Sequence, residues 1–158
     1  MENKLHVTAS PHIHSGRSTR KVMLDVIISL LPATIAGAVI FGARALFVVA
    51  VCVGVSVLAE FAFNAIMKRE QSVSDLSAIV TGLILALNLP ANAPLWQAGV
   101  GAVFAIIVVK CLFGGIGKNV VNPAATARVF MLVAFSSLTK PAFPQGADAV
   151  SGATPLAQ

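Results

Sequence analysis

The stretch LFVVAVCVGVSVLAEFAFNAIM, residues 46–67, carries one acidic or basic side chain, Glu60, in 22 positions. Wound as an α-helix at about 1.5 Å per residue, it spans about 33 Å, enough to cross a hydrocarbon layer of about 30 Å. It reads as a membrane span, and the rest of the chain agrees. Of 158 residues, 57% are hydrophobic and only 11% charged, with a mean hydropathy of +0.88. Soluble domains run near about half apolar and about a quarter charged. A soluble fold of this length has no interior able to hide so much apolar surface.

Four more apolar segments flank that run. Residues 23–41 and 95–113 are each long enough to cross as ordinary spans. Residues 76–89 and 124–138 are shorter, 14 and 15 residues, the range in which a re-entrant or broken helix competes with a full crossing. Short, interrupted segments point to a site within a transporter-like fold. Ser72 and Asp75 resemble a capping box ahead of the third segment, and Asn122-Pro123 an N-cap and first-turn proline ahead of the fifth. The expected organisation is all-α and polytopic: a polar N-terminal segment at 1–22, a five-segment membrane body at 23–138, and a tail at 139–158. Residues 1–22 are polar, basic and without an apolar core, so the first span is expected to serve as its own insertion signal.

The basic residues give the orientation. With a cytoplasmic N-terminus and five reversals, Lys4, Arg17, Arg20, Lys21, Lys68, Arg69, Lys110 and Lys118 lie inside, against Arg44 and Lys140 outside. Arg128, within the fifth segment, stays out of that count. The net charge of +5 belongs to this asymmetry, and no nucleic-acid partner is implied. Cys52 and Cys111 fall in apolar runs without CxxC spacing and read as membrane-buried thiols, not metal ligands.

Three groups of residues carry candidate chemistry. In Gly114-Gly115-Ile116-Gly117-Lys118-Asn119-Val120-Val121-Asn122-Pro123, the glycines free the backbone to turn or to approach a ligand. The helix start that follows offers unpaired N–H groups to an anionic or electron-rich group. A tight interhelical turn accounts for the same residues equally well, and the glycine spacing fits neither a Walker loop nor a dinucleotide fingerprint. Glu60 is an intramembrane carboxylate, a candidate for an ion route; pairing with a Lys or Arg, such as Lys68, or a neutral carboxylic acid are the other readings. Asp25 and Lys110 are expected to be interfacial anchors, and His6, His12 and His14 to belong to a solvated segment with no metal. Last, Ser151-Gly152-Ala153-Thr154-Pro155-Leu156 places a threonine among small residues near the end of the sequence.

Taken in order, several blocks resemble one family, the D subunits of Rnf-type ion-translocating oxidoreductase complexes. They are Ser10-Pro11-His12, Asp75-Leu76-Ser77-Ala78-Ile79-Val80-Thr81-Gly82-Leu83, Leu89-Pro90 with Pro94 and Trp96, the glycine–asparagine run, and the Ser-Gly-Ala-Thr-Pro-Leu ending. The related B subunit of the sodium-translocating NADH:quinone reductase has similar blocks. The resemblance implies a subunit of an electron-transport complex in the bacterial inner membrane, coupling ferredoxin:NAD electron transfer to Na+ or H+ translocation, and not active alone. It implies that Thr154, framed by Ser151, Gly152 and Ala153, carries FMN through a phosphoester bond installed by a separate flavin transferase, on the outer face; riboflavin is a further candidate cofactor elsewhere in the full subunit. It also implies two inverted five-segment halves of urea-transporter type, of which this chain matches one, so that a fragment, a truncated product or a split subunit is expected. No residue is assigned a catalytic role. A solute permease or channel on the same scaffold, without redox chemistry, is the alternative, and an inert truncated product a third reading.

Overall fold

Two long helices joined by a single glycine frame the molecule. In the computed structural model, which describes residues 18–69, 71–139 and 142, α1 runs Thr19–Phe41 and α2 runs Ala43–Ile66. Gly42 stands alone between them at φ 78°, a conformation that side chains other than glycine rarely adopt. α1 starts earlier than its apolar run because Ser18 caps it, its hydroxyl accepting from the Lys21 amide. α2 closes with Lys68 at φ 52°. The Lys68 amide bonds back to the Ala65 carbonyl at 3.3 Å and the Arg69 amide to the Asn64 carbonyl at 2.9 Å, a Schellman end made without glycine.

A 3-10 turn, Val73–Asp75, leads into α3, Ser77–Asn88. α3 is buried on every side, from Ser77 and Ala78 through Thr81 and Gly82 to Leu85 and Ala86, the pattern of a central helix. Its close fit to α2 depends on Gly82: a Cβ there would stand 2.8 Å from the Cys52 carbonyl and 2.8 Å from Val53 Cα. α4, Leu95–Val103, continues without a break into π-helical winding over Phe104–Cys111. α5 covers Pro123–Ala134 and passes through Phe135 into a 3-10 turn, Ser136–Thr139. Among the described residues there is no strand.

The five helices alternate in direction. The last turns of α2 and of the π segment meet the start of α3, through Glu60, Lys110 and Ser77. The opposite end gathers Arg44 with Asn92, Gln97 with Ser137, and Trp96 edge-on to Phe135. The residues Arg20, Lys21, Lys68, Arg69, Lys110 and Lys118 all fall toward the first end, and Arg44 falls at the other.

The molecule is apolar on its outside and carries its polar side chains inside an apolar core. No residue of α1 is buried, and Ile35, Val39, Phe47, Leu58, Ile66 and Val133 are each more than half exposed. The interior meanwhile holds Ser56, Glu60, Asn64, Ser77, Thr81, Gln97 and Lys110. That arrangement fits a lipid surround, where apolar surface is at no disadvantage and polar groups must be satisfied internally. α1 and α2, at 23 and 24 residues, are long and apolar enough to cross a membrane. The span expected at 95–113 is a continuous helix over Leu95–Cys111 whose second half is π-wound. α3 and α5, 12 residues each, reach about 18 Å and fall short of a hydrocarbon core.

Candidate functional site

Helix ends build the polar site. Glu60, near the close of α2, is 1% exposed and accepts from Lys110 Nζ on Oε1 at 2.7 Å. The same oxygen accepts from the Ser72 hydroxyl at 2.6 Å, and Asn64 Nδ2 donates to that hydroxyl at 3.1 Å. Lys110 Nζ donates a second bond to the Ser77 hydroxyl, which in turn donates to Asp75 Oδ1 at 2.6 Å. Asp75 Oδ1 also accepts from the Ser77 amide at 2.9 Å, at the start of α3. The result is a continuous chain, Asn64–Ser72–Glu60–Lys110–Ser77–Asp75, that ties α2, the 3-10 turn, α3 and the π segment together.

Local sequence explains how the chain is aimed. Leu76 at φ 66° turns the backbone so that Asp75 lies over the α3 N-terminus. The π winding closes Leu112 N–H onto the Ile107 carbonyl at 3.0 Å, five residues back. It ends in a second Schellman pair, Gly114 N–H to the Cys111 carbonyl at 3.1 Å and Gly115 N–H to that of Lys110 at 3.0 Å, with Gly114 at φ 104°. The Cys111 carbonyl also accepts from Arg69 Nη1 at 3.1 Å. Lys110 is thus the one base bonded within a chain that holds two acids, Glu60 and Asp75, while Arg69 stands beside it on the Cys111 carbonyl.

Two cavities flank the ion pair. One of about 150 Å³ is lined by Glu60, Asn64, Arg69, Ser72, Cys111, Gly114, Gly115 and Ile116. Glu60 Oε2, buried, has no hydrogen-bond partner, an orphan that a native interior rarely tolerates without reason. The other cavity, about 460 Å³, collects Ser77, Thr81 and Lys110, the loop residues Gly117 and Asn119, and the α5 start at Asn122. Asn122 Oδ1 accepts from the Ala124 and Ala125 amides at 3.0 and 3.3 Å, with Pro123 in the first turn, as the sequence predicts. Asn119 Oδ1 is shielded and unpartnered.

Several expectations change. The capping box does not form: the N-cap of α3 is Leu76, Asp75 accepts from the Ser77 amide two residues on, and Ser72 turns to Glu60, because the buried carboxylate is the stronger acceptor. Lys110 is not an interfacial anchor but is 2% exposed and paired with Glu60, while Asp25 is exposed on α1. The carboxylate's partner is Lys110, 50 positions away, and Lys68 lies exposed beyond the end of α2. Gly114, Gly115, Gly117, Asn119 and Asn122 do not form one loop site: the first two line the smaller cavity, the last three the larger. Positive φ at all three glycines shows that the turn itself requires them. Cys52 and Cys111 are buried free thiols. Ser151, Gly152, Ala153 and Thr154, like His6, His12 and His14, lie outside the described residues. Sequence reasoning missed Lys110 and Ser77 as site residues; an uncompensated lysine inside an apolar run was the available signal.

The chain is 47% identical over 157 residues to the D subunit of the Na(+)-translocating ferredoxin:NAD(+) oxidoreductase complex of Acetobacterium woodii, covering 99% of this chain and 49% of that protein. It is 41% identical over 133 residues to the D subunit of the ion-translocating oxidoreductase complex of Yersinia enterocolitica, covering 83% and 38%. Against the protein of the same description from Actinobacillus succinogenes, identity is 39% over 131 residues, covering 82% and 37%. The chain thus spans half or less of the length of these relatives. The sequence profile of the NQR2, RnfD, RnfE family matches residues 6–158, and the chain belongs to that family.

Proposed function

We propose that this chain acts as a membrane subunit of an ion-translocating electron-transport complex that couples ferredoxin:NAD electron transfer to Na+ or H+ movement. The observation that carries the reading is the 47% identity across 99% of the chain to a protein of that description. The bacterial inner membrane is the proposed location, with the basic end of the bundle in the cytoplasm. The remaining subunits of such a complex are its proposed partners, and a second, inverted half of urea-transporter type would complete its fold.

Thr154 is the proposed attachment point of FMN, through a phosphoester made by a flavin transferase, with the small residues Ser151, Gly152 and Ala153 completing the motif. FMN would supply one- and two-electron chemistry; riboflavin, bound elsewhere in the full-length subunit, is a second proposed cofactor. The described residues of this chain contribute an ion route. Glu60 Oε2, Asn64, Ser72 and the backbone at Cys111 offer oxygen atoms around the smaller cavity, the donor type that hard cations prefer. A cation at Glu60 would compete with Lys110 Nζ, which already holds Oε1, for the same carboxylate. Occupancy would then loosen the contact between α2 and the π segment.

The test is ferredoxin-driven, NAD+-dependent 22Na+ uptake into inverted vesicles carrying the assembled complex, with a proton-gradient dye in parallel. The proposal expects ion uptake that stops without the electron donor and that falls tenfold or more in Glu60→Gln. Solute flux indifferent to electron donors would instead favour a permease, to which the cavity of about 460 Å³ is also suited.

A further inference from the structure

Arg128 is a cation within the membrane body that no described residue neutralises. It is the sixth of the 12 residues of α5. Two positions on, Phe130 stacks on Phe104 at 4.1 Å between ring centroids, and Phe104 stands midway along the helix Leu95–Cys111. The backbone of Arg128 therefore lies about half-way between the two ends of the bundle, and its guanidinium extends to Leu138, beside the Gln97–Ser137 contact. Its Nη2 donates one long bond, 3.4 Å, to the Leu138 carbonyl, and its shielded Nη1 meets no acceptor. The acidic side chains among the described residues are Asp25, exposed on α1, Glu60, held by Lys110, and Asp75, held by Ser77.

The face of α5 that carries Arg128 is unpartnered. Ala124, Ala127 and Met131 turn into the bundle, while Ala125, Val129, Leu132 and Val133 are exposed, Val133 to 86%. Residues 125, 128, 129, 132 and 133 follow helical spacing, so the arginine sits within one apolar stripe. A guanidinium at this depth is costly against lipid and is stabilised by a carboxylate that takes two of its N–H groups.

We propose that this stripe of α5 docks a second membrane helix bearing an aspartate or glutamate at the level of Arg128. The valines supply helix–helix packing and the arginine fixes register and partner, because a helix without the acid would leave the charge unpaired. Docking of this kind needs membrane embedding and a neighbouring helix, not redox chemistry, so it stands even if the ion-uptake test fails.

The test uses the full assembly in native membranes, with Arg128→Met, Arg128→Lys and Val133→Trp. Alkaline-carbonate-resistant chain measures insertion, and the slower band on blue-native gels measures assembly. Arg128→Met is expected to insert at least as well as the natural chain, since a charge has been removed, yet to lose about tenfold or more of the assembled band by stranding the partner's acid. Arg128→Lys is expected to keep most of it, and Val133→Trp to lose it by obstruction. If Arg128→Met fails to insert, Val133→Trp decides: loss of the band supports the proposal and its retention overturns it. Wild-type assembly in Arg128→Met overturns it, as does a change confined to bound anionic phospholipid or to a band containing only copies of this chain.

Discussion

Replacing Lys110 with methionine removes one member of a pair that is 3% and 1% exposed, at 2.7 Å. At an effective dielectric of about 20, two unit charges at that separation attract by about 6 kcal/mol. Much of this offsets the desolvation of both ions, so the pair's net worth is small, whereas stranding one member is not: deleting one partner of a buried pair costs about 3–5 kcal/mol. In Lys110→Met the Glu60 carboxylate keeps only Ser72, and the Ser77 hydroxyl loses its donor. Thermal unfolding in lipid nanodiscs, followed by circular dichroism, should show a midpoint lowered by roughly 6–20 °C, scaling by about 2–4 °C per kcal/mol. Glu60→Gln should also destabilise, and the double variant should recover about 2 kcal/mol or more relative to the sum of the singles. A Lys110→Met melt within about 1 kcal/mol of the natural chain, or strictly additive singles, would refute the reasoning, because neither residue would then depend on the other.

Gly82→Val puts a branched side chain where a single Cβ already lies 2.8 Å from backbone atoms of α2; the α2–α3 contact should open, with about 1–3 kcal/mol lost in the same melts. Asn122→Ala removes the acceptor for the Ala124 and Ala125 amides, at a cost of about 1 kcal/mol, whereas Asn122→Asp should be near neutral. Lys68→Gly relieves a side chain held at φ 52° and should raise stability by up to about 1 kcal/mol; a lower melting point would show that the lysine makes a contact of its own.

How far the sequence carries the fold depends on the kind of signal. Residues 46–67 announce α2 through length and apolarity alone, and Asn122-Pro123 marks the start of α5 because capping is local chemistry. The shortness of α3 and α5 was visible in the spacing of their apolar runs. The winding of Phe104–Cys111 was not, since α and π helices draw on the same apolar residues. Gly114 signals its Schellman end openly, whereas Lys68 makes the same turn with an unfavourable residue and leaves no trace in composition. Glu60 was legible as a buried acid, but Lys110 and Ser77 come to it from 50 and 17 positions away, and only the packing of three helices brings them together. Ser72 illustrates a local motif overridden by a stronger distant acceptor.

The proposed FMN at Thr154 is tested most directly by in-gel flavin fluorescence after denaturing electrophoresis of the chain produced together with a flavin transferase, with peptide mass spectrometry and a Thr154→Ala control. A covalent flavin predicts fluorescence that survives denaturation, maps as an FMN phosphoester to Thr154 and vanishes in the variant. A correctly inserted chain that carries no adduct in the presence of an active transferase, or an adduct that persists in Thr154→Ala, would contradict it.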